Sequence, residues 1–304
     1  MEFEARRDRC IVVVKQSAMD TKMDIETLRQ WVGRTETLED EITAFPMRAL
    51  GATLDISMWP VEKGSVLPPL WHWLYFHQPA ARSQLGGDGH PARGGFLPPV
   101  PLPRRMWAGG RLQFYQPLWV GEVASKHSRI LDVSAKTGRT GSLAFVTVEH
   151  KHCSARGLAV TEQQDIVYRE ESQPGAPLPP PVLAPTDEEW AQDMVADPVL
   201  LFRFSALTFN GHRIHYDQDY SRNVEHYPGL VVHGPMLAML LLESVRRKFS
   251  DCVVLSFEFK GVRPTFVGQR FQVCGKRDSA GSKVLLWVRQ EDGALAMTAS
   301  AEIE

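Results

Sequence analysis

Cysteine is scarce in this sequence: Cys10, Cys153, Cys252 and Cys274 are the only four in 304 residues. No two stand at metal-ligand spacing and there is no disulfide framework, so free thiols in a reducing compartment are expected. No apolar run approaches the roughly 20 residues that a membrane-spanning helix needs. Neither sign of charge dominates, with 34 Lys and Arg against 36 Asp and Glu and a net charge of −2. Such a chain has no bulk attraction for nucleic acid or an anionic membrane, so a phosphate-bearing ligand must be held by local groups. The N-terminus has no secretory pattern, and its acidic residues argue against a mitochondrial presequence. A cytoplasmic location is expected, or the mitochondrial matrix in a eukaryote.

What is present is an ordinary globular composition, 43% hydrophobic and 23% charged, enough for one large or two ordinary domains. Residues 1–23 read as a poorly ordered extension. Ile25, Leu28 and Val32 then recur at helical spacing behind a possible Asp24 cap. Residues 37–42 suggest another helical turn, and 49–59 a helix or strand. The aromatic cluster from Pro68 to Phe76 reads as core packing under a ligand groove. Residues 77–110 are rich in Gly and Pro and form a long loop of the kind used as a lid or binding segment. Strand patterns follow from Arg111, including Ser142 to Glu149. Residues 171–186 carry six prolines and read as a linker. Thr186 with Glu189 resembles a capping box, predicting a helix start there.

An internal repeat sets the architecture. The run from Leu112 through Pro117 to Val120-Gly121 resembles the run from Leu255 through Pro264 to Val267-Gly268. Ala159-Val-Thr161 likewise matches Ala296-Met-Thr298. The chain therefore reads as two copies of one α+β unit, at 24–170 and 187–304, joined by the 171–186 linker. Only the second copy holds the stretch Asn210-Gly-His-Arg-Ile-His-Tyr-Asp217, with Gly229-Leu-Val-Val-His-Gly-Pro235 behind it. From Pro235 an almost wholly apolar segment predicts a helix buried on all sides. Four strands, at 252–259, 270–275, 283–289 and 294–303, are predicted to follow. The first unit is expected to bind substrate without supplying catalytic groups.

The second half resembles the MaoC-like (R)-specific enoyl-thioester hydratases. From about residue 24 the whole chain resembles the fatty-acid-synthase-type dehydratase-domain family, which includes the type 2 hydroxyacyl-thioester dehydratases and the itaconyl-CoA and mesaconyl-C4-CoA hydratases. The stretches carrying the resemblance are 204–217, 227–235 and 94–110. It implies a double hot-dog fold, each unit an antiparallel sheet around a central helix. It also implies a hydro-lyase acting on a C5 dicarboxylyl enoyl-CoA, with no cofactor and an acyl-CoA thioester as partner, as a monomer or homodimer. In the hydratase pattern an aspartate and a histidine flank the water. The histidine falls on His215, and the aspartate falls on Asn210, an amide that positions water but takes no proton.

Adding water to a double bond conjugated to a thioester calls for a base and for donors to the developing enolate. His215 is expected to be the base, Asn210 to orient the water, and the Gly234 N–H, at the positive end of the buried helix, to serve the enolate oxygen. His212, Asp217 and His233 are possible supporting groups. A His212/His215 metal pair lacks a third ligand, so no metal is expected. A substrate carboxylate would suit an arginine, and Arg213, Arg263 and Arg93 are the candidates. The rival readings are a 3-hydroxyacyl-thioester dehydratase, a thioesterase, and a non-catalytic acyl-CoA-binding module.

Overall fold

The computed structural model describes residues 23–56, 60–138, 141–171, 180–279 and 281–304. Residues 1–22, 57–59 and 172–179 of the proline-rich 171–186 segment lie outside them. The chain runs α1 (Ile25–Arg29), β1 (Thr35–Glu41), α2 (Ala44–Thr53), β2 (Arg104–Phe114), β3 (Val123–Gly138), β4 (Gly141–Ser154) and β5 (Gly157–Arg169). It continues through β6 (Trp190–Val195), α3 (Pro198–Leu207), α4 (Gln218–Asn223), α5 (Gly234–Lys248), β7 (Val254–Gly261), β8 (Arg270–Arg277), β9 (Lys283–Gln290) and β10 (Leu295–Ile303).

All ten strands form one antiparallel sheet in the order β1-β3-β4-β5-β2-β7-β10-β9-β8-β6. The order reads the same from both edges once the halves are matched, as the repeat requires. The centre of the sheet is the β2–β7 pair, where Arg111 faces Glu258. Each of those residues stands six positions before its repeat proline, Pro117 or Pro264, so the pseudo-twofold passes between them. The repeated Val-Gly also has a physical cause. Gly121 and Gly268 adopt φ of +89° and +81°, a region open to glycine. Their N–H groups donate to the carbonyls of Ile42 and Ala196, at the ends of β1 and β6.

The halves differ in what fills the sheet. In the second, α5 is buried from Met236 to Val245 and packs against β7, β8, β9 and β10. Each buried Leu or Met contributes roughly 1.5–3 kcal/mol of apolar transfer. In the first half no helix of that length stands between α2 and β2 among the described residues. There Leu28 of α1 and the segment holding Val100 and Leu102 cover Ile130, Val133, Val146 and Val148. The double hot-dog fold is thus present with one central helix reduced, and that leaves room on the first sheet's inner face.

Two local expectations are corrected. Residues 37–42 are not helical. Residues 37–41 belong to β1, an edge strand whose exposure alternates residue by residue while it pairs with β3. Its glutamates suit an edge that faces water, and tertiary pairing overrides their helix propensity. The capping-box signal at Thr186 also fails. Residues 190–195 are β6, paired with β8, and the helix starts later, where Asp197 caps α3 through the Leu200 N–H at 2.7 Å. The helix near residue 24 is real but short, ending at Arg29, with Asp24 as its cap.

Candidate active site

The histidine loop begins where α3 ends. Thr208 Oγ1 donates back to Phe204 O at 2.7 Å, and Asn210 N–H donates to Ser205 O at 2.8 Å. Between them Phe209 is held at φ +47°, a strained conformation for an aromatic residue. The Asn210 side-chain oxygen accepts the His212 N–H at 3.0 Å. With that oxygen engaged, the amide NH2 is the face of Asn210 left to meet a ligand.

His215 follows in a 3₁₀ turn, Arg213–His215. Its Nδ1 lies 2.7 Å from Val231 O. A carbonyl only accepts, so Nδ1 carries the proton and Nε2 keeps its lone pair. Burial pushes the His215 pKa down to about 3, the Val231 bond opposing and the His212 charge reinforcing it. The ring is therefore neutral throughout the physiological range. His233, the residue before α5, stacks on His215 with centroids 3.6 Å apart and planes 19° apart. Its Nε2 is 2.8 Å from Ser205 Oγ, and burial, then the charges of His215 and His212, hold its pKa well down. His233 thus fixes the His215 ring plane from below.

Gly234 opens α5. The first N–H groups of a helix have no intrahelical partner; Pro235 has no donor and Met236 is buried, so the Gly234 N–H is the accessible donor at the dipole end. A Cβ there would meet nothing nearer than Trp107 O at 3.9 Å. The protein's own packing does not require glycine, so the missing side chain leaves open space at the helix end.

His212 is turned toward acidic partners. Its Nε2 is 3.9 Å from Glu225, which pairs with Arg104 at 3.2 Å. Burial pushes the Glu225 pKa up, but His212 and Arg104 more than offset this and leave it lowered. Nor is His212 paired with His215 around a common point. Its ligand nitrogen instead groups with a ring nitrogen of His90 and a carboxylate oxygen of Asp88, all within 4.8 Å of one another. Asp217 is the cap of α4, accepting the Tyr220 N–H at 2.9 Å, and it pairs with Arg213 at 2.8 Å. That arrangement gives Asp217 a local structural job.

None of the three candidate arginines lines the cavity beside this loop. Arg213 is held by Asp217, by Gly87 O at 3.0 Å and by the Tyr220 ring at 4.2 Å. Arg263 pairs with Asp292 at 3.0 Å. Arg93 donates to the Val100 carbonyl at 2.7 Å and to those of Leu102 and Pro103. It braces the long loop. That loop also docks on the histidine loop: Arg213 N–H donates to Asp88 O at 2.9 Å, and Gly89 packs against Gly211 so closely that a Cβ would stand 2.0 Å from its carbonyl oxygen.

The cavity itself has a volume of about 310 Å³. Its second-half wall is Phe204, Thr208, Phe209, Asn210 and Pro235; His215 and Gly234 do not line it, but Gly234 precedes Pro235 and His215 stacks on His233, whose ring packs against Phe204. The opposite wall comes from the first half, including the aromatic cluster as Trp73, Tyr75 and Phe76, so that cluster does lie under a groove. Sequence reasoning missed the rest of this wall: Lys126, His150, His152, Glu162 and Gln164, with His72. Glu162 is 1% exposed. It accepts from Trp73 Nε1 at 3.0 Å, Gln164 Nε2 at 2.8 Å and His72 Nε2 at 3.1 Å. Burial raises its pKa, but the neighbouring His152 and the hydrogen-bonded His72 carry it well below the usual range. The signal for this cluster was strand alternation in β4. Ala144, Val146, Val148, His150 and His152 are its buried series, and the last two positions hold histidine where the pattern calls for an apolar residue.

Comparison with known proteins agrees with this picture. The family model for hydroxyacyl-thioester dehydratase type 2 matches residues 70–267. A mesaconyl-C(4)-CoA hydratase of Chloroflexus aurantiacus is 46% identical over 90% of this chain and 96% of its own length. A mitochondrial hydroxyacyl-thioester dehydratase type 2 of Schizosaccharomyces pombe is 28% identical over 78% of this chain and 88% of its own. In three dimensions, a conserved hypothetical protein of Mycobacterium tuberculosis with a double hotdog fold superposes with a TM-score of 0.55. It covers 90% of this chain and 96% of its own at 13% identity, a likeness of fold alone.

Proposed function

The chain belongs to the hydroxyacyl-thioester dehydratase type 2 family, and from that premise we propose that it is a hydratase acting on a short dicarboxylyl enoyl-CoA of the mesaconyl-C4-CoA type, giving citramalyl-CoA. The observation that carries the reading is the His215 Nδ1–Val231 O bond of 2.7 Å, beside the open helix end at Gly234. It supports a ring whose Nε2 is free to accept a proton.

In this reading the thioester carbonyl accepts from the Gly234 N–H. Asn210 orients a water through its amide. His215 Nε2 takes a proton from the water as its oxygen bonds to the β-carbon. The electron pair of the double bond moves onto the thioester as an enolate, which the helix end stabilises. Return of the proton to the α-carbon completes the addition. A base with its pKa near 3 is weak alone, so the enolate's negative charge close by is what makes the transient imidazolium tolerable. General-base assistance of this kind contributes typically 10²–10⁴-fold.

The relation to the fission-yeast dehydratase keeps an unbranched 3-hydroxyacyl thioester as the second reading. The charged and hydrogen-bonding first-half wall favours the dicarboxylyl one, because a plain acyl chain suits an apolar pocket. The test offers mesaconyl-C4-CoA and crotonyl-CoA and follows both loss of the enoyl thioester and release of thiol. Hydration of the first without thiol release is expected. Hydration of crotonyl-CoA alone would establish the second reading, and thiol release without hydration would make the protein a thioesterase.

A further inference from the structure

The first-half wall of the cavity is built with unusual care. Lys126 on β3 faces His152 on β4 across the ladder, and the next pair on the same face is Ser128 with His150. His150 in turn faces Glu162 on β5. Five polar groups therefore occupy one inner-face patch that continues the apolar series Ala144, Val146, Val148. Burying such groups costs stability unless they are fully paired, and apolar replacements of similar volume are often neutral or stabilising.

Glu162 is saturated, with donors from Trp73, Gln164 and His72. Its charge is compensated and it holds those side chains in place. His152 is different. It is 2% exposed, yet among the described residues neither ring nitrogen has a hydrogen-bond partner. Its Nε2 stands 3.7 Å from Glu162 Oε2, too far for a hydrogen bond. The His72 ring braces it edge-on at 4.6 Å. The ring borders the cavity. Lys126 borders it too, and its ammonium is bound only loosely to Phe76 O at 3.3 Å, leaving further N–H donors. Burial lowers the Lys126 pKa, while the charges of Glu162 and Glu36 support its protonated form.

A half-buried ammonium and a buried, unsatisfied imidazole facing one small cavity are complementary to an anion with two acceptor oxygens. We infer that Lys126 and His152 form a subsite for the free carboxylate of a short dicarboxylyl thioester, with Glu162 and His72 as positioning residues. The inference rests on the proposed reaction for its orientation: with the thioester at Gly234, the far end of the acyl group extends across the cavity to the first-half wall. A second carboxylate on the β-carbon would then lie between Asn210 and Lys126. This accounts for an uncharged amide at position 210, because an aspartate there would repel the substrate.

Binding can be measured without turnover. Succinyl-CoA carries the free carboxylate on the β-carbon and has no double bond, and butyryl-CoA is its uncharged counterpart. Calorimetric titration of the full chain is expected to show succinyl-CoA binding more tightly. In Lys126→Met that preference should shrink by roughly 10- to 100-fold, the loss of one charge-assisted hydrogen bond, whereas Lys126→Arg should keep most of it. His152→Leu, an apolar swap at a buried site, gives the same readout if Lys126→Met does not fold. Equal binding of the two thioesters by the wild type, or a preference that survives both Lys126→Met and His152→Leu, overturns the subsite. If the wild type prefers succinyl-CoA in a Lys126-dependent way but fails to hydrate mesaconyl-C4-CoA, the subsite stands and the proposed reaction fails. If it hydrates mesaconyl-C4-CoA without any succinyl preference, the reverse holds.

Discussion

Mild acid should destabilise this protein, and histidines held neutral in the fold set how strongly. His90, His150, His152 and His215 are pushed down to pKa values of about 2, 4, 3 and 3, with burial the leading cause for each. In the unfolded chain each titrates near 6.5. Above that value all are neutral in both states and contribute no pH dependence. Below it the unfolded state takes up protons that the folded state refuses, so stability falls as pH drops and levels off only near the folded values. Between pH 7 and pH 5.5 each histidine removes about 1.2 kcal/mol, and the four together about 5 kcal/mol. That is a large share of the 5–15 kcal/mol typical of a domain. Urea unfolding at the two pH values measures it directly. His90→Gln should make the pH dependence smaller by about 1.2 kcal/mol. An unfolding free energy that stays within about 1 kcal/mol from pH 7 to 5.5 would refute the claim that these rings are held neutral.

Two substitutions test the histidine loop's support. Gly89→Ala places a methyl 2.0 Å from Gly211 O at a φ of +88°. It should cost at least about 2 kcal/mol and lower kcat by displacing the loop that carries His215, both read by urea melts and steady-state rates. Asp217→Ala should cost about 1 kcal/mol through loss of the α4 cap while kcat stays within about threefold; a fall of 100-fold or more would return Asp217 to the acid/base role.

How far the sequence revealed this molecule depends on whether the features are contiguous. The histidine loop, Gly234 and α5 lie in one run from Asn210 to Lys248, and they were legible because loop and helix chemistry is local. The duplication was legible because the left-handed turns at Gly121 and Gly268 repeat a physical need. The first-half cluster was not, because it comes from β3, β4, β5 and the turn at His72, segments far apart in the chain. Only the alternation in β4 pointed to it, through two histidines in a buried series. The edge strands β1 and β6 were misread because their charged, helix-like composition matters less than the ladder each one completes. Arginine roles were also hidden: nothing in the sequence tells that Arg93 is consumed by backbone carbonyls.

His215, with its Nδ1 proton pinned by Val231, is the proposed base for water addition. The most direct test compares the wild type with His215→Ala on mesaconyl-C4-CoA, alongside a thermal melt of each. A fall in kcat of roughly 10²–10⁴-fold with folding intact is expected. A folded His215→Ala variant that hydrates the thioester at near the wild-type rate would contradict it.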